Sequence, residues 1–464
     1  MKPSKSRDAV VIGAGIGGLF AAQVLSQHFE KVTVVERDAR PEGLGDSRKG
    51  IPQGRHAHVL LKKGELIMDE LFPGLIQELE ESGSVTYNFA RCFHWFHHGV
   101  WKVRCDSDFE LHQQSRPFLE NHILRRLEDN PKVEILRGHV AKEPIWNADK
   151  SEIQGLVVHS VSEDSESASF GLPARLVVDS SGRASKLPKW FEEAGYLPPE
   201  EDRIGVNLQY STRMFQAPEQ ETEWKSLLIY QDPPEVTRGG LIFTMEGGRW
   251  LVTLLGYAGD RPPKDNDKFL DFAKSLLLPD LYDNIKDLEP LNDVKIHKFP
   301  YSRYRRFDKL KRQPRGILAL GDAVCSFDPV FGQGMTSAAM ACKILSEELQ
   351  SKNGSWNPKH FYKNLHQFIK VPWLLASCED LRYPKVTGKR SLTLNLLQKY
   401  IKRVIWWTSK DEEVYRRFYR VLHLLEGPET LFHPSVLWKV LFRTPSKKKL
   451  QRSAAMSIPK LQEK

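Results

Sequence analysis

The chain has 464 residues, of which 40% are hydrophobic and 27% charged, a composition that supports two or three folded units and excludes a disordered or fibrous protein. Its five cysteines, Cys92, Cys105, Cys325, Cys342 and Cys378, form no Cys-x-x-Cys pair, so neither a disulfide scaffold nor a cysteine zinc site is expected. The net charge of +9 is uneven: from Arg382 to Lys464 there are 19 Lys and Arg against 6 Asp and Glu, and beyond that charge no motif suggests nucleic-acid binding.

In chain order, Asp8 to Ile12 predicts a buried strand, Gly13 to Gly18 a turn, Leu19 to His28 a helix and Lys31 to Glu36 a second strand, together a βαβ unit. Met1 to Ala22 has the basic-then-apolar order of a signal peptide, but the turn accounts for the same residues one by one. No later run holds the eighteen or so apolar residues of a membrane span, so a soluble, cytoplasmic protein is expected.

Leu60 to Glu81 predicts helix, Tyr87 to Val103 an aromatic strand and Pro117 to Leu127 helix. Lys132 to Leu136, Gly155 to His159 and Ala174 to Asp179 predict strands that return to the first sheet. Ile204 to Phe215, Leu227 to Tyr230, Gly240 to Met245 and Trp250 to Tyr257 predict a mainly antiparallel sheet. Gly316 to Leu320 closes the pattern as a strand, followed by a helix from Met335 to Leu349 and mostly helix beyond Pro358.

Three motifs carry chemistry. In Gly13-Ala14-Gly15-Ile16-Gly17-Gly18, Gly13 permits a tight turn, Gly15 lets the backbone approach a pyrophosphate and Gly18 lets the helix pack on the sheet, while Glu36 ends the next strand where ribose hydroxyls bind. That pattern predicts a dinucleotide site without separating FAD from NAD. The second motif runs from Gly316 through Asp322 to Asp328-Pro329-Val330-Phe331-Gly332-Gln333-Gly334-Met335: Asp322 suits a ribityl chain, and the turn opens a helix whose N–H groups face a flavin ring. The third, Leu176 to Ser185 with Asp179, is a motif by its similarity to the central Asp-Gly motif of a known enzyme family, where it lies near the flavin and the nicotinamide path.

On these residues the chain resembles FAD-dependent monooxygenases of the aromatic-hydroxylase and squalene-epoxidase type over most of its first 350 residues, and more narrowly bacterial flavin epoxidases of polyene polyketides, which share a stretch like Gly54 to His58. The resemblance implies an α/β, or α+β, two-domain flavoprotein: a Rossmann-like, glutathione-reductase-type FAD domain (1–85, 110–190, 296–350), a β-rich substrate domain (86–109, 191–295) and a C-terminal helical region (351–464) that closes the site. It also implies that Arg37 joins Glu36 at the adenosine end, that Arg116 touches the FAD, that Val140 meets the adenine and that Arg55 lies near the flavin. With Asp179, Asp322, Pro329, Gly332, Gly334 and Met335 these complete the expected cofactor site. Ser180-Ser181 departs from the Ala-Asp or Ala-Ser of many relatives, which bears on the nicotinamide path.

The implied chemistry is reduction by NADPH or NADH, directly or through a separate flavin reductase, then transfer of one oxygen from a flavin C4a-hydroperoxide to a lipophilic substrate. Epoxidation needs no side-chain base, so no catalytic triad is expected; His94, His97 and His98 are expected to line the pocket or pack in the core, with no metal, and one of them to serve as a base if the substrate is a phenol. Flavin alkene reductases of the geranylgeranyl-reductase type share the fold. A non-catalytic flavoprotein or membrane adaptor remains open, while the Trp-x-Trp-x-Ile-Pro signature of flavin halogenases is absent. Basic-apolar segments at Tyr400 to Trp407, Val414 to Leu422 and Lys447 to Lys449 either cap the pocket or rest on an anionic membrane.

Overall fold

The computed structural model describes residues 7–40, 43, 48, 50–162, 168–351 and 356–443. Its first sheet has five strands, all parallel, in the order Ile317–Ala319, Leu176–Asp179, Ala9–Ile12, Val32–Glu36, Val133–Arg137. The Ala-Val-Val-Ile of the central strand is buried at every position because helices cover both faces of such a sheet. Each fully buried Val or Ile of this kind contributes roughly 1.5–3 kcal/mol. Helices Ile16–Ser26, Arg116–Glu128 and Gln333–Ser351 share this core.

The predicted Leu60 to Glu81 helix is two, Lys62–Leu71 and Leu75–Glu81. Pro73 has no N–H to continue the first and holds Phe72 out of the helical region (φ −131°, ψ 74°), so the chain must restart. The aromatic segment is also divided. Asn88 caps a single helical turn, Phe89–Cys92, and left-handed His98 and Gly99 then turn Phe93–His97 back into Val100–Trp101.

The Gly155 to His159 strand does not return to the first sheet. Gly138, at φ 68°, turns the chain straight out of Val133–Arg137 into His139–Trp146, which pairs antiparallel with Ile153–Ser160 and through it with Ser169–Pro173. Short connections favour such a local meander over a parallel return.

The second large sheet has seven strands: Lys295–Phe299, Leu208–Gln216, Arg249–Gly256, Arg238–Met245, Ser226–Ile229, Phe93–His97 and Val100–Trp101. All pairs are antiparallel except Ser226–Ile229 with Phe93–His97. Helices Phe269–Lys274 and Asp280–Ile285 pack on one face. The other face meets helices Leu392–Trp407 and Glu412–Leu422. Helix Pro358–Asp380 links this region to the first core. No helix among the described residues is long and apolar enough to cross a membrane.

Candidate functional site: a nucleotide cradle beside an apolar cavity

The Gly13 turn begins where the first strand ends. Gly13 has φ 93°, and a Cβ there would lie 3.0 Å from the Ser180 carbonyl oxygen, so a side chain is excluded by conformation and by space. Gly15 precedes helix Ile16–Ser26 without any side-chain cap, leaving the first N–H groups of that helix available to an anion. A Cβ on Gly15 would meet only Ile51 Cδ1, at 3.9 Å. The turn is thus closed on the sheet side and open on the outer side, as a pyrophosphate cradle requires.

Glu36 is buried at the end of the second strand, where it accepts hydrogen bonds from the N–H groups of Ala14 (2.8 Å) and Asp38 (2.9 Å). Arg48 also binds it at 2.9 Å and reaches Glu120 at 3.0 Å, while Glu120 takes Arg116 Nε at 2.8 Å one helical turn earlier. Arg116 Nη1 approaches His58 Nε2 at 3.4 Å. A continuous polar chain therefore runs from Glu36 to the loop around His58. Sequence reasoning gave Arg48 and Glu120 no role, because neither belongs to a spaced motif. Arg37 is exposed beside Asp38, Arg55 is exposed, and Val140 lies half-buried on the meander.

Asp179 is fully occupied: one oxygen accepts from the Ser181 N–H (3.0 Å) and hydroxyl (2.5 Å), the other from the Ser185 hydroxyl (2.5 Å). Its carboxylate shapes the turn that meets Gly13. Asp322 differs, accepting no hydrogen bond among the described residues. Burial pushes its carboxyl up, against Arg116, Arg183 and Arg303, which favour the charged form. A Cβ on Gly334 would lie 3.9 Å from Asp322 Oδ1, which places this carboxyl beside the start of helix Gln333–Ser351. Pro329 opens a short turn capped by Asp328, left-handed Gly332 ends it, and Met335 is buried in the helix that follows. Gly17 lies against Leu320 and Ala338, so the two glycine-rich turns converge. An open cradle, an uncapped helix end and an unpartnered, half-buried carboxyl together fit a dinucleotide that carries a polyhydroxyl chain.

The Pro329 to Gln333 segment also forms part of a cavity of about 510 Å³. The opposite walls come from the seven-stranded sheet, including Trp95, Tyr230 and Phe243, and from the C-terminal helices, including Ile401 and Phe418. The segments Tyr400 to Trp407 and Val414 to Leu422 thus contribute residues to the cavity wall, whereas Lys447 to Lys449 lie outside the described residues.

Two polar groups interrupt this wall. Asp328 and Asp380 are wholly buried neighbours, and no hydrogen-bond partner meets either carboxylate oxygen of Asp380 among the described residues. Asp328 accepts from the Tyr257 hydroxyl (2.6 Å) and the Val330 N–H (2.9 Å), whereas burial and the neighbouring Asp328 push the Asp380 carboxyl well up. At the other group, His98 bridges Asp232 (3.2 Å) and Glu379 (2.8 Å). Burial disfavours the charged form of Glu379, yet Arg382 and His98 hold its carboxyl well below the usual range. The ligand-capable atoms of His97, His98 and Glu379 lie within 4.8 Å of one another. The acid that local spacing did not offer beside the histidines comes from a helix 281 positions away. His94 is buried, and of the three histidines only His97 is among the cavity-lining residues.

Residues 11–62 match the family of NAD(P)-binding Rossmann-like domains. p-Nitrophenol 4-monooxygenase PnpA from Pseudomonas putida superimposes with TM-score 0.64 at 16% identity, over 91% of this chain and 99% of that one. The flavin-dependent brominase Bmp2 does so with TM-score 0.63 at 13% identity, over 90% and 93%. Squalene monooxygenase 1,1 of Brassica napus is 23% identical over 87% of this chain and 72% of its own. The fold is thus the two-domain α/β fold of FAD-dependent monooxygenases of the aromatic-hydroxylase type. More narrowly, the chain belongs to the family of Protein Rv3254 of Mycobacterium tuberculosis, to which it is 35% identical over 75% of its length and 74% of that protein's.

Proposed function

We propose that the protein is an FAD-dependent monooxygenase that uses NADPH or NADH and dioxygen to oxygenate a lipophilic substrate, with epoxidation of a polyene or terpenoid ahead of aromatic hydroxylation. The observation that carries this reading is the apolar cavity, whose wall includes the same Pro329 to Gln333 segment that leads into the helix start beside Asp322. Gly13, Gly15, Gly18 and Glu36 would hold the adenosine diphosphate half of FAD, and Asp322 with the Gly332 to Met335 turn the flavin half. When bound, FAD supplies electron transfer and the activation of dioxygen. The chain's own residues bind and orient: the aromatic wall takes up hydrocarbon, and the C-terminal helices exclude water, which protects a reactive oxidant from wasteful decay. Squalene monooxygenase, among the relatives, bears a name consistent with a lipophilic alkene substrate. The brominase shares the fold, but the tryptophan signature expected of flavin halogenases is missing from this sequence.

Incubating the flavin-loaded protein with NADPH, isotope-labelled dioxygen and squalene or a linear polyene should give a product that carries one labelled oxygen, read by mass spectrometry. Hydrogen added to the alkene with no label would move the assignment to a flavin alkene reductase, and retained flavin with no turnover of any kind to a non-catalytic flavoprotein or membrane adaptor. Restoration of turnover only by an added flavin reductase would assign reduction to a partner.

The cavity-lining residues Leu374 and Phe432 are 38% and 42% exposed, and Leu392 and Leu396 stand out further along the Leu392–Trp407 helix, which also carries Lys399, Lys402 and Arg403. Peripheral contact of this face with an anionic membrane belongs to the same proposal, since it would deliver substrate from lipid to the cavity. Binding to phosphatidylserine vesicles that weakens with added salt is expected; no sedimentation with vesicles at low salt would remove it.

A further inference from the structure

His97 is 8% exposed, lines the cavity, and has no hydrogen-bond partner on either ring nitrogen among the described residues; Nδ1 is sealed from solvent altogether. Its ring is fixed by its neighbours, stacked on Trp95 (4.7 Å between centroids, 9° between planes), tilted against His98 at 4.5 Å and edge-on to Tyr230 at 5.7 Å. Gln231 follows Tyr230 and lines the same cavity, 8% exposed, with its carbonyl Oε1 buried and unpartnered. Glu379, also in the wall, presents a carboxylate oxygen within 4.8 Å of the His97 nitrogen.

Buried polar groups are almost always hydrogen-bonded, and an imidazole and an amide oxygen left without partners cost stability unless a ligand completes them. Apart from this corner and the Asp328–Asp380 pair, the wall is largely hydrocarbon and aromatic ring. Burial, together with His98 and Lys102, disfavours the imidazolium of His97, so the ring enters the cavity neutral and able to accept a proton-bearing group. Gln231 Oε1 is an acceptor only, and Glu379 is ionised.

We propose that His97, with Glu379 beside it and Gln231 in the same wall, forms a polar anchor for a hydroxyl group on an otherwise apolar ligand, so that this cavity prefers lipophilic alcohols or phenols to plain hydrocarbons. The hydroxyl donates its hydrogen to the corner while the remainder of the molecule lies along the aromatic wall. The inference rests on the proposed function only in taking the cavity as the substrate site, and it requires no reaction there.

The test is binding, without reductant, so failed oxygenation would leave its outcome unaffected. Calorimetric titration of the FAD-loaded protein with farnesol and with farnesyl methyl ether, which keeps the oxygen but lacks the donor hydrogen, should show farnesol bound about tenfold more tightly or better. In His97→Phe, which retains an aromatic ring in the stack, the preference should vanish. Gln231→Leu should reduce the preference independently, should the Phe variant fold poorly. Equal affinity for the two probes, failure of farnesol to bind, or a preference that survives in folded His97→Phe and Gln231→Leu would overturn the anchor, leaving the corner as a site completed by ordered water.

Discussion

Acidification from about pH 7.5 to about pH 5 should remove at least roughly 5 kcal/mol of folding stability, a large share of the 5–15 kcal/mol typical of a folded protein. The main cause is four buried histidines, and half-buried His58, which burial also pulls down to about 3, adds to the loss. Burial, the largest influence on each, pulls His56 and His423 down to about 3, His94 to about 4, and His97 well below its ordinary value. Side chains whose protonation is depressed on folding add stability above their unfolded pKa, near 6.5, and lose it as the pH falls below that. At about pH 5 each lies roughly 1.5 units below that point and costs about 2 kcal/mol, or about 8 kcal/mol for the four. The Asp380 carboxyl acts oppositely. A carboxyl raised in the folded state stabilises at low pH and loses that contribution as the pH rises, so acidification over this window returns at most about 3 kcal/mol. Urea titrations at the two pH values would measure the difference, and His423→Phe should shrink the contribution of the four by about a quarter. A stability that stays flat across the window would show that these rings take up protons in the folded state.

Motifs whose function lies in the backbone were legible in the sequence, because the constraint and the residue are the same thing. Gly13 must be glycine for its φ and for Ser180, and the strand, turn, helix and acid of the first unit follow one another as the spacing predicts. Contacts between distant segments were not legible. Arg48 binds both Glu36 and Glu120, 12 and 72 positions away, and Asp328 meets Asp380 across the cavity wall, yet neither pair leaves a local period or spacing. The histidine run shows the same division. Its aromatic strand was visible, but which ring faces the cavity depends on the left-handed turn at His98 and Gly99 and on a carboxylate contributed by helix Pro358–Asp380. The misplaced strand Ile153–Ser160 has a similar origin: its residues suit either sheet, and the turn at Gly138 decides.

Alanine at Gly15 and alanine at Gly18 should have opposite consequences, although the two glycines stand three residues apart in one motif. At Gly18 a Cβ would sit 1.8 Å from the Gly13 carbonyl oxygen and 3.0 Å from its carbon, both backbone atoms of a turn already pinned against Ser180. The helix would have to move off the strand, so Gly18→Ala should destabilise by more than about 3 kcal/mol or yield insoluble protein. At Gly15 the backbone is extended, with φ −71° and ψ 173°, a conformation open to any residue, and the new methyl would meet only the end of Ile51 at 3.9 Å. Folding should therefore change by less than about 1 kcal/mol, the usual difference between residues at such a cap. The methyl would nevertheless project toward the uncapped helix end, into the space where a pyrophosphate would approach the backbone. Gly15→Ala should then melt close to wild type yet leave purification with little bound flavin, read from its visible absorbance. Full flavin in a folded Gly15→Ala protein would mean that the cofactor does not approach this turn. A Gly18→Ala protein as stable as wild type would mean that the helix can slide along the strand, and with it that the close packing described here does not set the position of the cradle.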